Sequence, residues 1–343
     1  IDKVAVDIAS AKGTIAVCRN GAGVEFSEDE AKVVLGEDEI YINIDLGQGD
    51  ASAKAWGCDL TYDYVKTVSY THLTLPTMSK NIGFIGCGNM GTAMMQGIID
   101  SGKCSPKEIM ISCRTQATLD AKKEQFGVQI TTDNRKVAEF ADILFVAVKP
   151  QFYGEVLTEV KDALKKDVIL ISIAPGKTLQ WFADLLGSET KVIRTMPNTP
   201  SMVKEGMMGM CIGSQVTEEE VNEVRELCEG FTQTEVIPEH LMDVVTAVSG
   251  SSPAYVFMFI EAMADAAVAG GMPRQQAYKF AAQAVLGSAK MVLETGKHPG
   301  ELKDMVCSPA GTTIQAVRVL EERGMRSSVI EAMMKCLDIS RNM

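Results

Sequence analysis

The most constraining feature of this chain is a short apolar run, Ile82-Gly83-Phe84-Ile85, followed at once by Gly86-Cys87-Gly88-Asn89-Met90-Gly91. Thr92–Ser101, which comes next, has helical character. A G-x-G-x-x-G set between a strand and a helix suits a phosphate-bearing dinucleotide. The first glycine permits the tight turn, the second lets a pyrophosphate approach the backbone, and the third lets helix pack on strand. The helix start then offers free N–H groups and the positive end of a dipole. The following segments alternate as a doubly wound α/β domain requires. They read as strand Ile109–Ser112, helix Thr118–Phe126, strand Ile143–Val148, helix Gly154–Leu164 and strand Val168–Ile173.

Composition removes several other classes. The 343 residues are 46% hydrophobic, enough for two or three domains with real cores. A net charge of −12 argues against a nucleic-acid partner, which calls for clustered Lys and Arg. Nine cysteines without a C-x-x-C pair indicate neither a zinc ribbon nor a disulfide framework, so no metal is expected and a reducing cytoplasm fits. No apolar run approaches the ~20 residues of a membrane span. The longest candidate, Ala254–Met272, is interrupted by Glu261 and Asp265.

Cofactor choice is written at the end of the second strand, where an acid usually holds the ribose of NAD and an Arg accommodates the 2′-phosphate of NADP. Ser112-Cys113-Arg114-Thr115 has no acid before Asp120, so Arg114 favours NADPH, with NADH use possible. Ala147-Val148-Lys149-Pro150 ends the fourth strand, at the carboxyl edge where open α/β sheets bind ligands.

Further strings follow in order: Ser172-Ile173-Ala174-Pro175-Gly176, Arg194-Thr195-Met196-Pro197-Asn198-Thr199-Pro200, Ser249-Gly250-Ser251-Ser252-Pro253-Ala254-Tyr255, His298-Pro299-Gly300-Glu301-Leu302-Lys303-Asp304 and Ser308-Pro309-Ala310-Gly311-Thr312-Thr313-Ile314. With them the chain resembles the pyrroline-5-carboxylate reductase family along its length from Met78, where Met78-Ser79-Lys80 reads as a protein start. The resemblance implies a Rossmann domain over 78–238 and an all-helical dimerisation and substrate domain over 239–343. It implies a homodimer or a decamer of dimers that reduces the C=N bond of 1-pyrroline-5-carboxylate to give L-proline. By the same resemblance the cofactor meets Gly86, Gly88, Asn89, Met90, Gly91, Ser112, Arg114, Asn134, Ala147, Val148, Lys149, Pro150, Ala174 and Gly176. Ser308, Gly311 and Thr312 line the substrate carboxylate, and the Thr313 hydroxyl reaches the ring nitrogen as the one catalytic side chain. Pro175 and Ala310 depart from the family's frequent Ala and Gly, and Ser252 replaces a Gly.

The residues agree with that chemistry on their own terms. Sister enzymes that oxidise β-hydroxy acids need a base to take the alcohol proton, usually a Lys early in the second domain. Ser249–Asp265 holds no Lys and no His. A protonated imine is already electrophilic, so its reduction asks mainly for positioning. Ser308–Thr313 is a Pro/Gly-containing turn leading into a helix Thr313–Arg323, whose free N–H groups can hold a carboxylate. Helix capping is the structural alternative for its Ser and Thr residues. His240 and His298 stand at helix starts and carry no assigned chemistry. Ala254–Gly270 is apolar nearly all round, which marks a buried helix. Too little chain follows to cover it and the Ala-rich Pro273–Leu293, so a partner subunit is expected to do so.

The first 77 residues follow a separate logic. Thr14–Arg19 and the stretch after Asn20-Gly21 read as a hairpin, Ser27–Glu30 as a capping box opening a helix toward Leu35, and Glu39–Leu46 and Lys54–Val65 as strands. Two or three strands and one helix make only a fragment. Residues 1–66 resemble the C-terminal end of the bifunctional ornithine acetyltransferase family, through Ile42–Gly47 and Ala55-Trp56-Gly57-Cys58-Asp59-Leu60-Thr61-Tyr62-Asp63-Tyr64-Val65-Lys66. That family's threonine nucleophile has no counterpart here. Within the junction, 67–77, Val68-Ser69-Tyr70-Thr71-His72-Leu73 is similar to a translated transposase sequencing adapter. The chain therefore reads as an acetyltransferase fragment joined artificially to an intact reductase, the alternatives being a natural bifunctional fusion or a non-catalytic NADPH-binding protein. Removing residues 1–77 should leave reductase turnover within about twofold, because a linker with nothing to pack against tolerates cutting. A loss beyond about tenfold in NADPH oxidation would make the extension part of the enzyme.

Overall fold

The computed structural model describes residues 5–10, 12–19, 22–24, 27–35, 40–45, 50–55 and 80–342. The chain divides into two compact units, Ile1–Leu75 and Pro76–Met343.

In the first unit, strands β1 (Ala5–Ser10), β2 (Gly13–Arg19), β3 (Ala22–Gly23), β4 (Ile40–Asp45) and β5 (Asp50–Ala55) form an antiparallel sheet of order β3-β2-β1-β4-β5. Helix α1 (Glu28–Leu35) lays Ala31 and Val34 on Ile15, a small core. Pairing of Arg19 with Ala22 leaves two residues for the hairpin turn, as the Asn-Gly pair suggests, although Asn20 and Gly21 lie outside the described residues. The expectation of two or three strands is corrected to five among the described residues. β1 and β5 are rich in Ala, Ser and Asp, and pairing with neighbours rather than propensity makes them strands. Of the expected strand Lys54–Val65, Lys54 and Ala55 close β5 and the remainder lies outside the described residues.

The second unit starts with the doubly wound sheet. Strands β6 (Ile82–Ile85), β7 (Ile109–Ser112), β8 (Gln129–Thr131), β9 (Ile143–Val146), β10 (Ile169–Ser172), β11 (Lys191–Met196), β12 (Gly206–Ile212) and β13 (Thr232–Val236) lie in the order β8-β7-β6-β9-β10-β11-β12-β13. The run β8 to β11 is parallel, and β12 is antiparallel to β11. Order reverses between β6 and β9, so their carboxyl ends open a crevice there. β6, β9 and β10 are buried throughout, as strands covered on both faces must be. Helices α2 (Asn89–Asp100), α3 (Gln116–Phe126) and α7 (Glu218–Cys228) cover one face, and α4 (Asn134–Phe140), α5 (Tyr153–Val160) and α6 (Leu179–Leu186) the other. The rings of Phe84 and Phe145 stack across β6 and β9 with centroids 4.7 Å apart.

From Met242 the chain is helical: α8 (Met242–Val245), a π turn Thr246–Gly250, α9 (Ser252–Ala269), α10 (Arg274–Thr295), α11 (Pro299–Val306), α12 (Thr312–Glu322) and α13 (Met325–Arg341). The π turn is stitched by hydroxyls: Thr246, Ser249 and Ser252 each donate to the carbonyl four residues back. Two expectations change here. Glu239–Ala269 forms one helical stretch long and apolar enough to cross a membrane by length and composition, because the π turn Thr246–Gly250 extends the helix N-terminal to the run read from Ala254. The apolar α9 is not buried within one chain. It meets α10 through Ala264, Ala277 and Ala281, while Phe257 and Met258 stay 63% and 70% exposed.

Candidate active site

The turn after β6 owes its shape to two glycines. Gly86 has φ +90°, and a Cβ there would stand 2.7 Å from the Ala147 carbonyl oxygen. A Cβ on Gly91 would stand 2.8 Å from the Gly86 carbonyl oxygen. Gly88 differs. Its φ is an ordinary −74° and a Cβ there would meet nothing within 4 Å. The protein itself does not require glycine at Gly88, but an arriving phosphate would.

A cleft of about 520 Å³ opens at the switch point. Of the residues expected to meet a cofactor, Gly86, Gly88, Ser112, Arg114, Asn134, Ala147, Val148 and Lys149 line it. Asn89, Met90, Gly91, Pro150, Ala174 and Gly176 are not among its walls. Met90 packs on the core, and Pro150 opens the 3₁₀ turn Pro150–Phe152 that carries the wall residue Phe152. The Ser112 hydroxyl is fully buried and donates to Asn134 Oδ1 (2.7 Å), while Asn134 Nδ2 donates to Glu159 (2.9 Å). The Ser112 hydroxyl thus orients the wall residue Asn134. The sequence reading missed Cys87, Cys113, Thr115, Thr132, Phe152, Val156, Glu155 and Glu159, all in the walls. The two glutamates and Phe152 sit on the turn and helix after β9, where only the cleft's closure shows which side chains point inward. Burial pushes the thiols of Cys87 and Cys113 up, which keeps them protonated and unreactive.

Polar ties hold the wall behind β10 and β11. The Tyr153 phenol donates to the Val146 carbonyl and accepts from Ile173 N (3.1 Å), and burial pushes it up to about 12. Glu239 accepts from Leu179 N (2.7 Å), just after the Ala174–Gly176 loop, and pairs with the buried Arg194 guanidinium of β11. Asn198 accepts from Met207 N (2.9 Å) and donates to the Ser249 carbonyl (3.1 Å) in the π turn. Two junctions thus bind the sheet to the first helical turns.

No residue of the Ser308–Thr313 segment is among the walls of this cleft. Gly311 N donates to the Ser308 carbonyl (3.0 Å), with Pro309 and Ala310 between them. Ala310 has φ +58°, where a turn with proline second usually places glycine. Gly311 is the N-cap of α12 and no side chain caps it, so helix capping does not account for Thr312 or Thr313. Among the described residues the hydroxyls of Ser308, Thr312 and Thr313 make no hydrogen bond.

A doubly wound sheet with an open glycine turn at its switch point, a cation at the end of β7 and a helical region behind defines a nicotinamide-nucleotide oxidoreductase. The pyrroline-5-carboxylate reductase of Escherichia coli strain K12 is 55% identical over 266 residues, covering 78% of this chain and 99% of that protein. This chain belongs to the pyrroline-5-carboxylate reductase family. The Methanosarcina acetivorans reductase is 44% identical, covering 77% of this chain and 98% of that protein. Among solved structures, the Coxiella burnetii reductase matches at 35% identity with a TM-score of 0.72, covering 77% of this chain and 98% of that one. The Plasmodium falciparum enzyme with NADP bound matches at 30% identity and TM-score 0.71, with the same coverage. Family models place pyrroline-5-carboxylate reductase dimerisation at 239–343, NADP oxidoreductase coenzyme F420-dependent at 81–176, and the ArgJ family at 1–71.

The Ala310 backbone generates a stability prediction. Ala310→Gly should stabilise the protein by about 1 kcal/mol, the usual cost of an alanine at positive φ. An unchanged denaturant midpoint would show that the turn carries no strain.

Proposed function

We propose that this chain reduces 1-pyrroline-5-carboxylate to L-proline, with NADPH preferred over NADH. The observation that carries the reading is the start of α12: an N-cap with no side-chain partner, flanked by three free hydroxyls. A helix start with free N–H groups is a receptor for a carboxylate. When bound, the dinucleotide supplies the hydride. Gly88 leaves room for its pyrophosphate, Arg114 meets the 2′-phosphate, Asn134 and Lys149 reach from the walls, and the Ala174–Gly176 loop faces the nicotinamide end. Ser308, Gly311 and Thr312 hold the substrate carboxylate. The Thr313 hydroxyl orients the iminium and hydrogen-bonds the forming amine. A hydroxyl whose pKa is far above 7 is a poor donor of a full proton, so this role is one of orientation.

The domains of this reading are 1–66, an acetyltransferase fragment without activity of its own, 67–77, a junction, 78–238 for the dinucleotide, and 239–343 for dimerisation and substrate. The assembly is a homodimer or a decamer of dimers, working in the cytoplasm with neither nucleic acid nor membrane. Phe257, Met258, Phe280 and Leu293, 63 to 84% exposed on α9 and α10, support the partner subunit.

Purified protein should oxidise NADPH only when pyrroline-5-carboxylate is present, and silence with that substrate would reject the assignment. Thr313→Ala should lower kcat/KM by roughly tenfold to a few hundredfold, the worth of one oriented hydrogen bond. Thr313→Ser should recover most of it and the shape-preserving Thr313→Val should not. Wild-type efficiency in Thr313→Val would mean that water supplies the proton. Arg114→Ala should weaken NADPH relative to NADH by about 1.5–3 kcal/mol. Gly88→Ala should keep the wild-type melting temperature and weaken both cofactors, since its Cβ meets only the cleft.

A further inference from the structure

We infer that Phe152 is a specificity-determining residue: its ring holds the Arg114 guanidinium flat, presenting the edge to a 2′-phosphate and so setting the preference for NADPH. The inference rests on the cofactor reading above and deepens it. Arg114 follows β7 and Phe152 follows β9, on opposite sides of the cleft mouth. The Arg114 carbon Cζ lies 4.7 Å from the Phe152 ring centroid, a cation–π contact. Phe152 is a fixed plate. Pro150 starts the 3₁₀ turn, Phe152 N donates to the Lys149 carbonyl (2.9 Å), and the half-buried Phe152 ring packs on the core under α5. Arg114 is exposed and, among the described residues, makes no hydrogen bond and no ion pair.

That last observation matters because Glu155 and Glu159 line the same cleft. A guanidinium free to swing would pair with a carboxylate and commit the donors that a phosphate needs. A cation–π contact instead engages the guanidinium carbon and leaves its N–H donors, which make no hydrogen bond among the described residues, for a phosphate. Glu159 is meanwhile engaged by Asn134 Nδ2 (2.9 Å). The ring therefore competes with the carboxylates for Arg114, and NADH, lacking the 2′-phosphate, gains nothing from the result.

Dissociation constants for NADPH and NADH, measured by equilibrium fluorescence titration on wild type, Phe152→Leu, Phe152→Tyr, Arg114→Ala and Phe152→Leu/Arg114→Ala, test this. Thermal unfolding of each variant reports folding, and Phe152→Met replaces Phe152→Leu should the latter fold poorly. Phe152→Leu should reduce the preference for NADPH by roughly two- to fivefold, the size of one exposed cation–π contact. Phe152→Tyr, which keeps the ring, should retain it, and Phe152→Leu should change nothing further once Arg114 is Ala. Equal weakening of both cofactors in Phe152→Leu overturns the proposal, as does a lost preference that persists without Arg114. If Arg114→Ala itself leaves the preference intact, the failure belongs to the underlying cofactor reading instead.

Discussion

The contact of Gly91 with the Gly86 carbonyl is the constraint on which the site depends. With no methyl at Gly91, α2 can settle directly on the end of β6. Gly86 works the other side, where its bare Cα lets the Ala147 carbonyl come in close. Two hydrogen bonds then stitch the neighbouring strand ends to this turn: Gly86 N to the Ser112 carbonyl (2.9 Å) and Ala147 N to the Ile85 carbonyl (2.8 Å). The ends of β7 and β9 are thereby held at a set separation. That separation is what lets Arg114 and Phe152 meet across the mouth.

A second constraint is electrostatic. Arg194 is 5% exposed, and a buried guanidinium is tolerated only when its charge is compensated. Glu239 compensates it while also accepting from Leu179 N, and the Nε of Arg194 has no partner among the described residues. Glu239 immediately precedes the helices, so one carboxylate fixes β11, the start of α6 and the entrance to the helical region together. Asn198 makes a second tie further along the helical region, holding the Ser249 carbonyl of the π turn. Apolar area alone would let the helices slide over the sheet. Directional polar ties fix one geometry, though each contributes only ~1 kcal/mol net when neutral.

The centre of the sheet is legible because fully buried parallel strands are short unbroken apolar runs: Ile82–Ile85 and Ile109–Ser112 carry their observed bounds, β9 and β10 differ by one or two residues at their ends, and β8, β11, β12 and β13 are not visible as strands. The pairing Gly-turn plus Arg114 was legible for a similar reason, since backbone geometry and charge are local properties. What the sequence concealed is what depends on neighbours. The tie of the buried Ser112 hydroxyl to Asn134, 22 residues away, is not written in the run Ile109–Ser112. Phe152, Glu155 and Glu159 read as an ordinary helix start until the crevice closes around them. β1 and β5 have too little apolar patterning to be seen before pairing makes them strands. Ala310 was visible as a departure, but only its φ of +58° gives that departure a physical meaning.

Two apparent deficits of the single chain have one solution. The start of α12 offers free N–H groups and hydroxyls, but it does not line the dinucleotide cleft. The helices from α9 onward present Phe257, Met258, Phe280, Leu293, Ile330 and Met334 to water, each at least 57% exposed. Exposed aromatic and aliphatic residues at this density are unfavourable for an isolated domain and ordinary for a buried interface. Both facts belong to the helical region from α9 onward. In the proposed dimer, a second copy that covers the apolar faces packs against the same region that carries α12. In the homodimer proposed here, burial of the helices and completion of the site are then a single event. Folding of the helical region and assembly of the catalytic geometry would share one free energy, so weakening the interface should cost stability and turnover together.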